Sequence, residues 1–493
     1  MNNTKRIVLI LGILLSASGK AATDTIPTNR PEPTTYLTRE QMYADFDFLT
    51  NLLNTEMPHP AIRRMATGVD IPAETQALRA EMDTVTCDAG FHDVLMRAQF
   101  LYNDPHCSFL GGDSTAEAAL KHLYSGYRYG YNQKFPLIYT DGKYYTLFAY
   151  TDSLGHTLIQ PGTRVTHVSG IPIDRYMDTG NRRMQRNTRW DFKYNKFWST
   201  DLNDPRTLGL ADDFTLTLKQ RRHKTVRMDM VKRSWPGGQR TGSGDFKIYY
   251  WDEDSILYIR LPRMDHDRIA WINEELQKHR EAPVAHVVID VRGNGGGSDA
   301  VWRTLLQNLL DRPLSYPVRL AFPNEENINY FTREYTREKI GPDSCFILTN
   351  TSRITPAETS LRFQGPIHVL FDEDCFSSTL SLLSVCQSTD RLVSVGSPSG
   401  YLAGIGVNPM PVSLPNSRIH FRFPLCVEIT AGTDARSIYR QDVEEEVSVP
   451  IKARINMIHN FSGEVYGQDY LYRFDPVFRH LLKQWKRLPK KKR

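Results

Sequence analysis

The run Val287-Val288-Ile289-Asp290-Val291-Arg292-Gly293-Asn294-Gly295-Gly296-Gly297 could bind developing negative charge. An apolar strand pattern enters a glycine turn, and a helical pattern leaves it. Without Cβ atoms the main chain can approach a ligand closely, and unpaired N–H groups at a helix start favour an anion. Such a turn serves as an oxyanion hole or as a phosphate cradle. A Walker loop ends in Gly-Lys-Ser/Thr and a dinucleotide fingerprint needs a third spaced glycine; here Ser298, Asp299 and Ala300 follow. An acidic residue in the first helical turn suits the helix and repels a phosphate, so the oxyanion reading is the better one. A second turn, Asp374-Cys375-Phe376-Ser377-Ser378, brings two hydroxyls. A serine beside a glycine turn supplies a nucleophile and donors for acyl transfer. It also needs a base, and histidine is the usual one near neutral pH.

The elements that must position these groups are legible in outline. Asp45, Phe46, Phe48, Leu49, Leu52 and Leu53 fall at helical spacing after a Thr38/Gln41 cap. A helical region then runs to about Leu101 and stops at Asn103-Asp104-Pro105-His106-Cys107-Ser108-Phe109, where proline forces an extended segment. From Phe135 the period becomes two, with hairpins turning at Asp141-Gly142 and Ser169-Gly170. Beyond Gly244 a strand over 256–261, a helix with Ile269, Ile272 and Leu276 on one face, and a strand over 287–291 make a parallel βαβ unit. The glycine turn opens a helix through Val301, Leu305 and Leu309; strand 367–371 opens another through Leu380 and Leu383. Two strand-to-helix turns of one parallel sheet face a common crevice at the strands' carboxyl ends.

The segments VVIDVRGNGGG, VLFDEDCFSS and NDPHCSF together resemble the serine peptidase family of C-terminal processing (tail-specific) proteases and tricorn-core peptidases. The resemblance extends over most of the chain: the Asp45 to Leu49 helix with Pro58-His59-Pro60, a PDZ-like stretch over 162–173, the late Leu414 to Ser417 segment, and Asp475-Pro476. It implies an α/β fold with a ClpP/crotonase-like spiral core, a helical N-terminal domain and a PDZ-like β domain. It also implies Ser377 as nucleophile, backbone N–H groups of Gly295 or Gly296 and of Ser378 as the oxyanion hole, and His106 as base, matching the histidine of the Asp-Gly-His-Thr pattern of the tricorn-like branch. The other branch carries a lysine where this chain has Gly400-Tyr401-Leu402-Ala403-Gly404. Departures are Pro105 for glycine, Cys107 for threonine, and Leu380 where glutamate is frequent. The acid that orients His106 is expected in Gln441-Asp442-Val443-Glu444-Glu445-Glu446, at Asp442 or Glu444; a solvated turn is the bland reading of that run.

Each residue has a plainer role to set beside this one. Ser377 could be a helix cap, Ser378 competes as nucleophile, and a lone histidine is most often structural. Cys107 neighbours His106 on an extended segment and so points to the opposite face. No HExxH or paired CxxC occurs, and Asp265-His266-Asp267 lies where it would cap a helix rather than ligate a metal. No metal or organic cofactor is implied.

The start MNNTKRIVLILGILLSASGKAA has a short basic region, an apolar run over 7–15 and small residues at Gly19 and Ala21, the pattern of a cleaved secretory signal. The apolar run is too short to span a bilayer. Loss of Lys5, Arg6 and Lys20 with residues 1–21 leaves 58 basic against 56 acidic residues, and seven of the basic ones crowd the end of the chain from Lys483 onward. The body is slightly acidic, which argues against nucleic acid as a partner. Six cysteines permit up to three disulfides, too few to form the scaffold. The boundaries expected are a signal over 1–21, helices over 38–115, a β-rich PDZ-like domain over 116–243, the peptidase core over 244–460, and a C-terminal helix with a basic tail over 461–493. The expectation is a periplasmic or secreted serine endopeptidase acting on a peptide or protein substrate; the alternative is a catalytically inactive peptide- or lipid-binding protein on the same fold.

Overall fold

A computed structural model describes residues 37–111, 135–184, 188–206, 210–219, 223–228, 231–234, 245–328, 336–340, 345–401, 405–429, 441–459 and 466–487. The expected signal segment and the last basic residues lie outside the described residues.

Strands Ile256–Arg260, His286–Asp290, Ile367–Phe371, Leu392–Gly396 and Glu445–Glu446 run parallel in that order, with Lys247–Trp251 antiparallel at the first edge. The three leading parallel strands are almost wholly apolar because both of their faces are covered. Alternate side chains serve different layers. Leu257, Ile259, Val287, Ile289, Ile367 and Val369 pack under helices Ile269–Gln277, Asp299–Leu309 and Ser378–Cys386. Ile256, Tyr258, Val288, Leu370 and Val395 pack instead on Leu471, Val477, Phe478 and Leu481, from helices Gln468–Phe474 and Pro476–Arg487. Each such side chain taken from water contributes about 1.5–3 kcal/mol.

A second, antiparallel sheet follows the order Ser108–Gly111, His420–Glu428, Leu314–Phe322, Cys345–Ile354, Thr336–Ile340, with Ile405–Ser413 also paired to His420–Glu428. The short strand after His106 is therefore held by residues some three hundred positions later, Ser108 opposite Arg422 and Phe109 opposite Phe421. Helices Arg39–Glu56, His59–Thr67, Ile71–Glu81 and Asp88–Phe100 precede it. The first begins with the expected Thr38/Gln41 capping box. Phe46, Leu49, Leu53, Phe91 and Leu95 share one core with Leu414, Ile419, Phe421 and Phe423, so these helices lie on the second sheet. Buried Asp45 ties the layers by accepting from the N–H groups of Asn416 and Ser417, at 2.8 and 2.7 Å.

Between these parts, strands Asp201–Leu202, Phe135–Thr140, Lys143–Thr146, Arg164–Val168, Thr215–Lys219 and His223–Arg227 form a sheet around helix Ile173–Met184, which buries Tyr176 and Met177. Both hairpin turns fall where the sequence places them, with positive φ at Asp141 and Gly142 and at Ser169 and Gly170. All six cysteines are free thiols and five are buried, so the bridges their number permits are not formed.

The strand that ends at Glu428 finishes in a buried carboxyl, which accepts from Ser381 Oγ at 3.0 Å. Burial, with the Asp299 charge adding to it, pushes this group up to about 7 from 4.5. The folded protein then holds the proton more tightly than the unfolded chain, so this contribution to stability is full below pH 4.5 and is lost as pH rises through about 7. Glu428→Gln is expected to match wild type at pH 4 and to exceed it by about 3 kcal/mol at pH 8 in urea unfolding. Equal differences at the two pH values would refute this.

Candidate active site

Strand Ile367–Phe371 ends in a turn that delivers Ser377 to the start of helix Ser378–Cys386. Ser377 has φ 56 and ψ −128, and its side chain makes no capping bond. Positive φ in a non-glycine residue costs about 1–3 kcal/mol and persists only where surroundings impose it. The glycine turn imposes it here. Phe376 N–H donates to Asn294 O at 3.1 Å, Gly293 N–H to Asp372 Oδ1 at 2.8 Å, and Ser378 Oγ–H to Asp299 Oδ1 at 2.5 Å. Gly296, at φ 99, lies against the serine: a Cβ there would stand 2.6 Å from Ser377 Cβ and 2.7 Å from Phe376 O. The close approach expected of the glycines is thus an approach to the second turn.

The strand that feeds the glycine turn is anchored by charge. Asp290 receives Arg260 at 3.1 Å, Arg292 at 2.6 Å and the Tyr258 hydroxyl at 2.8 Å, and Arg292 reaches on to Asp475 at 2.6 Å. Burial would raise the Asp290 carboxyl; Arg292 and Arg260 outweigh it and bring it to about 2.

His106 arrives from the other side. Helix Asp88–Phe100 gives way to Asn103, at φ 53, and to a turn in which Asp104 Oδ1 accepts from His106 N–H at 2.8 Å. The same oxygen lies 2.7 Å from His106 Nδ1, and His106 Nε2 lies 2.9 Å from Ser377 Oγ. Phe376 supports the imidazole face, with ring centroids 4.5 Å apart, and Gly406 lets the strand Ile405–Ser413 pass beside it, since a Cβ would come within 2.6 Å of Nδ1. Asp104 Oδ2 lies 3.0 Å from His59 Nε2. Burial alone would raise the Asp104 carboxyl; the His106 charge and the bonds from His106 and His59 outweigh it and hold the group well below the usual carboxylate range. With Asp104 ionised, His106 Nδ1 is the donor and Nε2 is left to accept from the Ser377 hydroxyl. That series of hydroxyl, imidazole and carboxylate can take a proton from the serine.

The carboxylate at His106 is therefore Asp104 and neither Asp442 nor Glu444. Those two lie beside the edge of the parallel sheet: the Asp442 carbonyl accepts from Gln387 Nε2 at 2.7 Å, and Glu444 N–H donates to Ser394 Oγ at 2.8 Å. Asp442 lines a cleft with Trp190, Trp198 and Arg454, between the β-rich region and the core. Of the N–H groups expected to line an oxyanion hole, that of Gly296 donates to Asn294 Oδ1 at 2.8 Å, whereas those of Gly295 and Ser378 have no hydrogen-bond acceptor among the described residues. Cys107 is fully buried, and burial together with the Asp104 charge pushes its thiol well up, which removes it as a nucleophile. Where a lysine would stand in the other branch, Tyr401 packs on Phe376 at 4.9 Å and on the guanidinium of Arg189 at 4.9 Å. Arg189 itself donates to Asp374 on the serine turn at 2.5 Å.

Residues 255–429, which contain the glycine turn and Ser377, match the family model described as peptidase family S41. This segment is thus similar to the serine-type peptidases of family S41. No curated protein matches the chain. Among solved structures, mature CPAF is 14% identical with a TM-score of 0.56, over 90% of this chain and 98% of that one; its complex with lactacystin gives 0.55 over the same shares. This is a likeness of fold. The photosystem II D1 C-terminal processing protease superposes at a TM-score of 0.40 with 13% identity, over 86% of this chain and 98% of that one.

The S41 match leaves out His106, Asp104 and His59, which come from the preceding helices and turn. Sequence reasoning passed over Asp104, although it stands two residues before His106 in the motif that brought His106 to notice. The signal was available: an Asp at the first position of a turn commonly accepts from the N–H two residues on, and that bond sets its carboxylate beside the His106 ring.

Gly296→Ala is expected to cost about 1–3 kcal/mol and to lower the reactivity of Ser377 about a hundredfold or more, because the new methyl displaces the serine turn. Gly293→Ala, where nothing lies within 4 Å of the new atom, is expected to lose about 1 kcal/mol and stay within a few-fold in reactivity. Urea unfolding and the rate of fluorophosphonate labelling read both, and equal effects would contradict the assignment of close contact to Gly296.

Proposed function

We propose that the chain is a periplasmic or secreted serine endopeptidase that hydrolyses peptide bonds through an acyl-enzyme on Ser377. The observation that carries this is the hydrogen-bonded series Ser377 Oγ, His106 Nε2, His106 Nδ1, Asp104 Oδ1, with steps of 2.9 and 2.7 Å. His106 takes the hydroxyl proton as Ser377 attacks the carbonyl, and returns it to the leaving amine; a water then repeats the sequence on the ester. Asp104 holds the imidazole in the tautomer that can accept and stabilises its charged form. The N–H groups of Gly295 and Ser378 receive the oxyanion, since that of Gly296 is engaged by Asn294. The geometry favours turnover over the inactive binding alternative, because a nucleophile held at positive φ against a histidine is strain with no use in a passive pocket.

The export reading rests on the basic, apolar and small-residue succession of residues 1–21. Among the described residues no helix is long and apolar enough to cross a membrane. The β-rich region is read as PDZ-like on its 162–173 segment, and its Arg189 bond to Asp374 sets that region against the nucleophile turn.

The test is labelling of the protein with a fluorophosphonate serine probe, with the modified peptide located by mass spectrometry. Modification is expected at Ser377 and is expected to vanish in Ser377→Ala and His106→Ala. Asp104→Asn is expected to slow it about 10³–10⁴-fold, whereas Asp442→Asn and Glu444→Gln are expected to stay within about threefold of wild type. Labelling that survives in Ser377→Ala, or that depends on Asp442 or Glu444 rather than Asp104, would overturn the assignment.

A further inference from the structure

His59 is 1% exposed and is the first residue of helix His59–Thr67. Among the described residues the only hydrogen bond its ring makes is from Nε2 to Asp104 Oδ2 at 3.0 Å, and its buried Nδ1 has no partner there. A buried polar ring with one nitrogen unsatisfied costs about 1–3 kcal/mol, which an apolar residue of similar size would avoid. Stability alone gives no reason for a histidine here, but the carboxylate does. Asp104 is fully buried, and its Oδ1 already receives two bonds from His106. Without His59 the other oxygen would be a bare buried anion.

The support of His59 is as rigid as its position demands. Its backbone follows Pro58, whose carbonyl accepts from Ile62 N–H at 3.1 Å and faces the Cys345 thiol at 3.8 Å. Ile62, one turn on, packs with Ala321, Cys345, Ile347 and Val427 of the antiparallel sheet that also carries the strand after His106. Both histidines are thus fixed to one sheet, and Asp104 lies between them. The Asp104 charge in turn helps to raise the buried Cys107 thiol, against which the Arg422 charge acts.

We propose that His59 is a positioning residue for catalysis, whose Nε2–H bond turns the Asp104 carboxylate toward His106 and sets how strongly that carboxylate draws a proton onto the His106 pair. This rests on the Ser377/His106 reading above. Sharing the Asp104 charge between two imidazoles lowers the pull of Oδ1 on a proton. When the His59 bond is lost the full charge faces His106, so the pair is expected to remain protonated to higher pH, and the carboxylate gains freedom to rotate out of line.

The second-order rate of fluorophosphonate labelling, followed from pH 5 to 9 with melting temperatures recorded beside it, tests this in His59→Ala and His59→Gln. Wild type that fails to label at Ser377 would sink the functional reading itself, independently of His59. With wild type reactive, His59→Ala is expected to label about 10–100-fold more slowly at neutral pH. Its acid limb is expected to move up by at least about half a unit. Glutamine, whose Nε2 can supply the missing N–H, is expected to return the rate to within about fivefold of wild type and the limb to its place. Two results would overturn the proposal: His59→Ala with the wild-type rate and limb, or both variants slowed alike with an unmoved limb and a lowered melting temperature.

Discussion

An ionised carboxylate out of contact with water is the demand around which this molecule is arranged. Placing such a charge in the interior costs several kcal/mol unless close partners repay it, and Asp104 has its partners on separate parts of the chain: the turn that carries His106 and the helix that begins at His59. Neither can shift without exposing the other oxygen to an unsatisfied burial. The imidazole of His106 consequently has one orientation, and its Nε2 points at one place. The serine has to be brought to that place.

The serine turn shows how that is done. Ser377 stands in a backbone conformation that its own local preferences oppose, and the opposition is overcome by bonds from a different strand connection: Asn294 O, Gly293 N–H and Asp299. The glycine turn is itself braced from below, where Arg292 lies between Asp290 and Asp475 and so ties the end of the central strand to the C-terminal helix. Burial alone would not fix a turn to within a few tenths of an ångström. Interlocked directional bonds do.

What the sequence revealed followed from periodicity and from turn chemistry. The central parallel strands, the glycine turn and the helix after Ser377 were readable because a run of apolar residues ending in glycine or serine has few other solutions. The hairpins at Asp141-Gly142 and Ser169-Gly170 were readable because their turns require positive φ. The acid was misplaced for a physical reason. Its expected place at Asp442 or Glu444 came from the family resemblance of that run, and residues 103–109 were expected to leave the helix as an extended segment. The segment instead closes a tight turn, with Cys107 N–H donating to Asp104 O at 2.9 Å, and the side chain of Asp104 folds back onto the ring that follows it. His59 stood out only within Pro58-His59-Pro60, and its contact was not legible, since nothing in a helix pattern says which polar residue faces a charge 45 positions later.

The pairing of Ser108–Gly111 with His420–Glu428 has a consequence for how the protein comes into being. A ribosome finishes the glycine turn and the serine helix before the strand that holds His106 in register has been made. A chain that stops before residues near 428 lacks the strand that pairs with the segment after His106. Closing a contact of such long sequence separation is slow and comes late in folding. The register of His106 is thus set by the part of the chain that is made last among those the site needs.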